Sequence, residues 1–252
     1  MQKVLHKIID QKKSAFIEGR GLLDSVVLVN KVIDEVRRIK GKCTIIKVDF
    51  EKTYDSVNWE FLLYMMAKLG FCDKWIKWIR DCLESSTISV LVNGSPTEQF
   101  SPTKGLRQGD PLAPFLFLIV VEGLAGVVRQ AEYKGLLEGI KVGKKQIPIN
   151  MLQFADDTIF VCSPKTQNIV VIKSILRCFE IASRLKVNFH KTKLGSIGMQ
   201  NRMIERFSIM LNCMTMNIPF LYLGIKVGTN HRKKVFWNDM IINIRKRLSK
   251  WK

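Results

Sequence analysis

Apolar residues recur along this chain in two ways, at three- or four-residue spacing in some stretches and in short β-branched runs in others. The first spacing lines one face of a helix and the second fits a buried strand, so the pattern predicts a mixed architecture. Val4, Leu5, Ile8 and Ile9 share a face of an amphipathic segment already under way at the start. A glycine-punctuated loop over residues 16–21 leads to a helix over about residues 23–39, closed by Gly41. Cys43-Thr44-Ile45-Ile46-Lys47-Val48 is a buried strand that ends in Asp49. Ser56 is placed to cap a helix bearing Val57, Phe61, Met65 and Leu69, which Gly70 stops. Trp75, Trp78, Ile79 and Cys82 mark the next helix.

Residues 88–92, Asn93-Gly94 and residues 97–101 form a hairpin pattern, since Asn-Gly suits a two-residue turn. A loop rich in Gly and Pro over residues 102–114 opens a long apolar helix to about Gln130. Two further strands, residues 149–152 and 159–162, flank Gln153-Phe154-Ala155-Asp156-Asp157-Thr158. Ile169, Ile172, Leu176 and Phe179 make a helical face ending near Leu185, followed by short strands and turns over 186–198. Residues 220–227 read as one more strand. The last segment carries Phe236, Met240, Ile244 and Leu248 on one face. Lys233, Lys234, Arg245, Lys246, Arg247 and Lys250 lie on the other, either a solvated surface or a phosphate-contacting one.

No repeat or low-complexity linker interrupts the 252 residues, so one domain is expected. Both ends fall inside amphipathic segments, the pattern of a piece cut from something longer. Charge changes the picture most, because 41 basic against 22 acidic residues give a net +19. An excess of that size points to a polyanionic partner, nucleic acid before a membrane surface. Six cysteines without a C-x-x-C pair point to reduced core residues rather than zinc or disulfides. The most apolar run, residues 112–128, contains Pro114 and Glu122 and reads as a buried helix rather than a membrane span. With no secretory signal at the start, an intracellular, soluble protein is expected, in nucleus or cytoplasm.

The candidate chemistry lies in carboxylates at strand ends. Adjacent Asp side chains repel and suit strands poorly, so Asp156 and Asp157 cost stability unless something neutralises them. An isolated Asp-Asp is more often a solvated turn, and the reading as a metal site needs a third acid. Asp49 supplies it if its strand neighbours the Asp156-Asp157 hairpin in one sheet. Three acids around one point suit two Mg²⁺ ions roughly 3.5–4 Å apart, which clamp the attacking and leaving oxygens of a phosphoryl displacement. In the loop Gly105-Leu106-Arg107-Gln108-Gly109-Asp110-Pro111-Leu112, a helix start after glycines offers backbone N–H groups to a phosphate or base edge. Gln108 can hydrogen-bond a sugar or base there and Arg107 brings charge; a capped helix entry with a solvated Arg is the plainer alternative.

Taken together these stretches resemble the reverse transcriptases of plant-type non-LTR (LINE-like) retrotransposons, with six motifs in the family's order. Phe16-Ile17-Glu18-Gly19-Arg20 is similar to an early finger motif, and Lys47 to Val57 to motif A. Residues 106–115 are similar to motif B and Phe154-Ala155-Asp156-Asp157 to motif C. Residues 185–191 resemble motif D, and Tyr222-Leu223-Gly224 the primer-grip motif E.

The resemblance implies an α+β fold, a right-hand polymerase palm with partial fingers and the start of a thumb connection. Residues 1–42 and 56–105 would supply finger and palm helices with the hairpin. Residues 43–55 and 106–227 would be the palm core, and 228–252 the thumb connection. It implies two Mg²⁺ (or Mn²⁺) held by Asp49, Asp156, Asp157 and the Phe50 carbonyl. Tyr54 would exclude a ribose 2′-OH, with Arg107 and Gln108 beside the incoming nucleotide. Phe154, Ala155, Tyr222 and Gly224 would lie along the primer, and Lys191 would give a proton to the leaving pyrophosphate. RNA template, DNA primer and deoxynucleoside triphosphates are the implied partners.

Two positions depart from the family, Thr53 where Ala is usual and Arg184 where Gly is common. Upstream finger strands and an endonuclease domain are not in this sequence. RNA-directed DNA polymerase is therefore one expectation, and a catalytically inactive relic that retains nucleic-acid binding is the other. A group II intron-type or telomerase-type polymerase is disfavoured by the Arg-Gln-Gly-Asp-Pro-Leu loop.

Overall fold

The computed structural model describes residues 4, 5, 8, 9, 15, 17, 19, 21–230 and 234–249. Helix α1 (Leu22–Arg38) begins where the Asp24 carboxylate accepts the Gly21 amide at 2.7 Å. Strand β1 (Cys43–Val48) has the six residues read from the sequence. Helix α2 (Trp59–Lys68) is capped by Asn58, whose Oδ1 accepts the Phe61 amide at 2.8 Å, not by Ser56. Ser56 is instead spent in a turn, its amide on the Lys52 carbonyl. Helix α3 (Asp73–Glu84) follows, then a hairpin of β2 (Leu91–Val92) and β3 (Ser95–Pro96) extended by an Ile88–Phe100 bridge.

Helix α4 (Ala113–Tyr133) is long and apolar enough to cross a membrane by composition, yet its Phe117, Ile119, Val120 and Leu124 are fully buried in this fold. Its one buried acid, Glu122, is paired with Arg129 at 2.8 Å, which is what lets a charge sit there. A hairpin of β4 (Ile140–Val142) and β5 (Ile147–Ile149) precedes β6 (Met151–Phe154) and β7 (Asp157–Cys162). After α5 (Thr166–Ser183) come β8 (Lys193–Ile197), α6 (Asn201–Leu211) and β9 (Met214–Thr215). Residues 220–227 are not one strand but a hairpin, β10 (Phe220–Tyr222) and β11 (Ile225–Val227). Leu223 and Gly224 both take positive φ, 53° and 76°, the conformation of a tight hairpin turn. Helix α7 (Lys234–Leu248) ends the described chain; the Phe236 side chain of its expected apolar face lies outside the described residues.

Five strands form the main sheet in the order β6-β7-β1-β8-β9. Alternation sends Ile46, Val48, Phe160 and Cys162 to one face, where they pack with α2, α4, α5 and α6. Ile45, Ile159 and Val161 face the other side, against α1 and the β10–β11 hairpin. Asn30 on α1 accepts the Gly228 amide at 2.9 Å, and Arg37 donates to the Gly228 carbonyl at 2.8 Å. Those two bonds fix the β10–β11 hairpin beneath the sheet. The cysteine expectation fails for half the set: Cys43 and Cys162 are buried, but Cys72, Cys82 and Cys178 are exposed because each falls on a solvent-facing position of a helix or its entry.

Candidate active site at the sheet edge

Val48 pairs with Thr158 as the last partners of β1 and β7, so the next residues, Asp49 and Asp157, stand opposite each other at the sheet's end. Beyond them Phe154 pairs with Asp157 and closes a two-residue turn, Ala155-Asp156, with Ala155 at φ 52°. A left-handed φ is strained for alanine, and such strain concentrates at functional turns. The turn exposes Asp156, while Asp157 is half-buried.

Each acid of the turn has its own support. Thr53 donates from Oγ1 to Asp156 Oδ2 at 3.3 Å. Thr158 donates to the Asp156 carbonyl at 3.4 Å and accepts from Gln153 Nε2 at 3.1 Å. Lys47 forms an ion pair with Asp157 at 3.6 Å and also reaches the Leu221 carbonyl at 3.4 Å. Burial pushes the Asp157 carboxyl up, Lys47 pulls it down, and the charges of Asp156 and Asp49 push it up again, with a net rise. The Tyr222 hydroxyl, in a fully buried ring, donates to the Asp157 carbonyl at 3.4 Å. Burial first, and the Asp157 charge second, raise that phenol well above its ordinary range. Tyr222 therefore supports the acid turn from beneath.

Removing the Thr158 hydroxyl tests the inner support. Gln153 is 1% exposed and its Oε1 already lacks a partner, so Thr158→Val leaves the whole amide unpaired. Loss of about 1–3 kcal/mol is expected in a denaturant melt. A melt unchanged by the substitution would show that the Gln153 amide finds another partner.

Residues 186–192 wrap the end of β1. The Asn188 amide donates to the Asp49 carbonyl at 2.8 Å and the Glu51 amide to the Lys186 carbonyl at 2.9 Å, bracketing a Phe50–Val187 bridge. Buried Thr192 accepts the Asp49 amide at 3.3 Å. The Phe50 carbonyl takes no part in that bridge, and the Phe50 ring meets Phe179 edge-on at 6.3 Å. Lys191 is exposed on the same turn and has no ion pair among the described residues.

A cavity of about 610 Å³ opens beside Asp156, lined also by Thr53, Tyr54, Gln108, Asp110 and Pro111. Tyr54 stacks on Phe117 with centroids 4.9 Å apart, which holds its ring at the cavity wall. Burial raises the Tyr54 phenol, and the Asp156 charge raises it further. The Gly105 amide bonds to the Val57 carbonyl and the Leu106 amide to the Tyr54 carbonyl, both at 2.8 Å, strapping the glycine loop to the segment after Asp49. A Cβ on Gly105 would lie 2.8 Å from the Asp55 carbonyl, so only glycine permits that approach. Gln108 Nε2 rests on Asp55 Oδ1 at 3.4 Å.

Arg107 faces a neighbouring cavity of about 710 Å³ that shares Gln108 and also holds Trp59, Ser86 and Lys104. The helix start carries its own acid, as the plainer alternative of a capped entry has it: Asp110 accepts the Leu112 amide at 2.7 Å through Oδ1, and its carbonyl accepts the Ala113 amide. An incoming phosphate would have to compete with it.

The structure thus gathers Asp49, Phe50, Phe154, Ala155, Asp156 and Asp157 at one sheet end and sets Tyr54 and Gln108 beside Asp156. Tyr222 and the Gly224 turn lie below that end. Arg107 lines the adjoining cavity, and Lys191 is exposed on the turn that wraps Asp49. A closed three-acid cage is not what results: among the described residues no group of three His, Cys, Asp or Glu is arranged to hold a metal ion. Of the early motif at residues 16–20, only Ile17 and Gly19 are among the described residues. Sequence reading gave no role to Lys47, Gln153, Thr158 or Thr192, whose supporting roles depend on partners that only the folded sheet brings close.

Solved structures share this fold. The telomerase of Candida albicans, solved with a fragment of telomeric RNA, superposes with a TM-score of 0.64 at 13% identity, over 90% of this chain and 36% of that one. The Candida tropicalis enzyme, also with a telomeric RNA fragment, gives 0.61 at 16% identity, over 90% and 35%. The mixed sheet and helices are accordingly shared with those telomerases, an arrangement consistent with a polymerase palm. In sequence, the profile of "Reverse transcriptase (RNA-dependent DNA polymerase)" matches residues 1–227, and the chain belongs to that family.

Relatives include the Pol polyprotein of the Drosophila melanogaster retrotransposable element R2DM, 23% identical over 93% of this chain and 20% of that protein. An uncharacterised 149 kDa protein of the Xenopus laevis transposon TX1 is 24% identical over 76% of this chain and 14% of its own length. An uncharacterised mitochondrial protein of Arabidopsis thaliana is 48% identical over 27% of this chain and 56% of its own. The chain therefore spans about half the length of one relative and a fifth or less of the other two.

Proposed function

We propose that this chain carries the palm of an RNA-directed DNA polymerase and adds deoxynucleotides to a primer 3′-OH opposite an RNA template. The observation that carries the reading is the cavity in which Asp156 meets Tyr54 and Gln108, next to the Asp49 strand end. Exposed Asp156 and half-buried Asp49 offer hard oxygens, and burial, with the Asp156 and Asp49 charges added to it, raises the neighbouring Asp157 carboxyl against the pull of Lys47. That donor set fits Mg²⁺ or Mn²⁺, since magnesium is usually held by one or two carboxylates completed by substrate phosphates. When bound, the divalent ions acidify the primer hydroxyl and neutralise the leaving pyrophosphate.

The chain's own residues position the reactants. Tyr54, fixed against Phe117, occupies the wall where a ribose 2′-OH would point, and Gln108 offers an amide to the sugar or base. Arg107 and Lys104, in the adjoining cavity, bring charge to the backbone of a nucleic acid. Lys191 is the candidate proton donor to the pyrophosphate, and Phe154, Ala155, Tyr222 and Gly224 support the primer end. In this reading α1, α2, α3 and the β2–β3 hairpin are the finger and palm helices and hairpin, and α7 begins the thumb connection.

Nucleotide choice tests the cavity. Tyr54→Ala should raise ribonucleotide incorporation relative to deoxyribonucleotide by roughly tenfold to a hundredfold in primer extension. An unchanged ratio would remove Tyr54 from the nucleotide site. The alternative reading is a catalytically inactive relic. It predicts salt-sensitive RNA binding without any extension.

A further inference from the structure

Thr53 stands where the resembled family usually has alanine, and it links the segment after Asp49 to the Asp156 turn by a side-chain hydrogen bond. The residue is 8% exposed, and its hydroxyl donates to Asp156 Oδ2 at 3.3 Å across 103 residues of sequence. It lines the same cavity as Tyr54, Gln108 and Asp156. We propose that Thr53 is a positioning residue of this chain, holding one oxygen of the Asp156 carboxylate so that the other is presented to a divalent cation. The proposal rests on the polymerase reading above.

Asp156 needs such a restraint more than its neighbour does. It is exposed on the tip of a two-residue turn, and it has no ion pair among the described residues, whereas Asp157 has Lys47. Its backbone is tied by Thr158, but only Thr53 ties its carboxylate among the described residues. Thr53 is itself held on both sides. Lys52 turns the chain with a φ of 43°, and Tyr54 is locked by its stack on Phe117 and by the Leu106 amide on its carbonyl. A carboxylate accepts on both oxygens, so a hydroxyl on Oδ2 leaves Oδ1 free. Preordering the acid lowers the entropy lost when a cation is bound. An alanine at this position would leave the Asp156 side chain to find its rotamer only when the cation arrives.

The test titrates Mn²⁺ into the whole chain and follows free Mn²⁺ by electron paramagnetic resonance. The parent is compared with Thr53→Val, Thr53→Ser and Asp156→Asn. Valine keeps the shape and removes the donor, so Mn²⁺ binding should weaken about tenfold, the scale of one hydrogen bond to a charged group. Serine keeps the donor and should restore most of the affinity, a rescue that a purely packing role would not give. In primer extension the Mn²⁺ concentration for half-maximal rate should rise by the same factor in Thr53→Val, with the deoxynucleotide KM little changed. A parent that binds Mn²⁺ in an Asp156-dependent way, with Thr53→Val equal to it, overturns the Thr53 proposal and leaves the polymerase reading standing. Serine and valine weakened alike overturn it too, in favour of packing. A parent with no Asp156-dependent binding overturns the metal site, and the Thr53 proposal falls with it.

Discussion

Phe117→Ala should destabilise the chain by about 3–5 kcal/mol, the usual cost of deleting a buried aromatic ring. Phe117 is fully buried in α4, where the helix layer backs the Tyr54 wall of the cavity beside Asp156. In a domain of this size that cost lowers Tm by roughly 10 °C or more, readable in a thermal melt. A second consequence separates this site from other core positions. Phe117 is the ring on which Tyr54 stacks at 4.9 Å, so the Tyr54 side chain loses its backing. Sugar discrimination should loosen in the same variant, in the direction of Tyr54→Ala. A buried residue on the far face, such as Val29 of α1, provides the comparison: its truncation should lower stability without altering nucleotide choice.

The two acids of the turn should part company when each is replaced by asparagine. Asp156→Asn removes the exposed carboxylate and should cost activity about 10²–10³-fold or more, the scale of losing a charged group that faces the reacting atoms. Asp157→Asn should also lower activity, but its effect on the metal-free fold runs the other way. Burial and the charges of Asp156 and Asp49 outweigh Lys47 and raise the Asp157 carboxyl, so its ionised form is disfavoured in the folded chain. A folded-state pKa above the unfolded value of about 3.9 means that the folded chain holds the proton more tightly. Metal-free stability should then rise as pH falls from neutral through the raised pKa, and the benefit is lost as Asp157 ionises. Melts in chelator should accordingly place Asp157→Asn at or above the parent at neutral pH, with the gap closing in acid. A parent that is the more stable at neutral pH would show that the Lys47 pair outweighs the burial of charge. Trading stability for a cation site is common where function needs clustered charge.

The parts of this fold governed by local sequence were readable beforehand. A six-residue β-branched run ending in Asp49 gave β1 to the residue, and the apolar periodicity gave α1, α3, α4 and α5 to within a few positions. What escaped depended on backbone states that sequence disguises. Leu223 sits at φ 53°, a conformation a branched residue rarely adopts, so a hairpin passed for a single strand. Arg184 closes α5 at φ 63°, a left-handed conformation that glycine takes without strain and arginine does not. The β4–β5 hairpin was missed because Pro148 and a run of lysines break its alternation, and α6 because no turn signal isolates its Ile204, Phe207 and Leu211 face.

The site divides the same way. Acids at strand ends and the glycine loop announce themselves by type and order. Their supports, Thr53 on Asp156, Lys47 on Asp157 and Thr192 on Asp49, are ordinary residues brought to the acids by contacts across the fold.

The most direct test of the central claim is single-nucleotide extension of a DNA primer on an RNA template with Mg²⁺, comparing the parent chain with Asp156→Asn. The account predicts extension by the parent and its loss in the variant, with both proteins melting normally. Extension that survives Asp156→Asn, or a parent that binds the hybrid yet extends nothing, would contradict it.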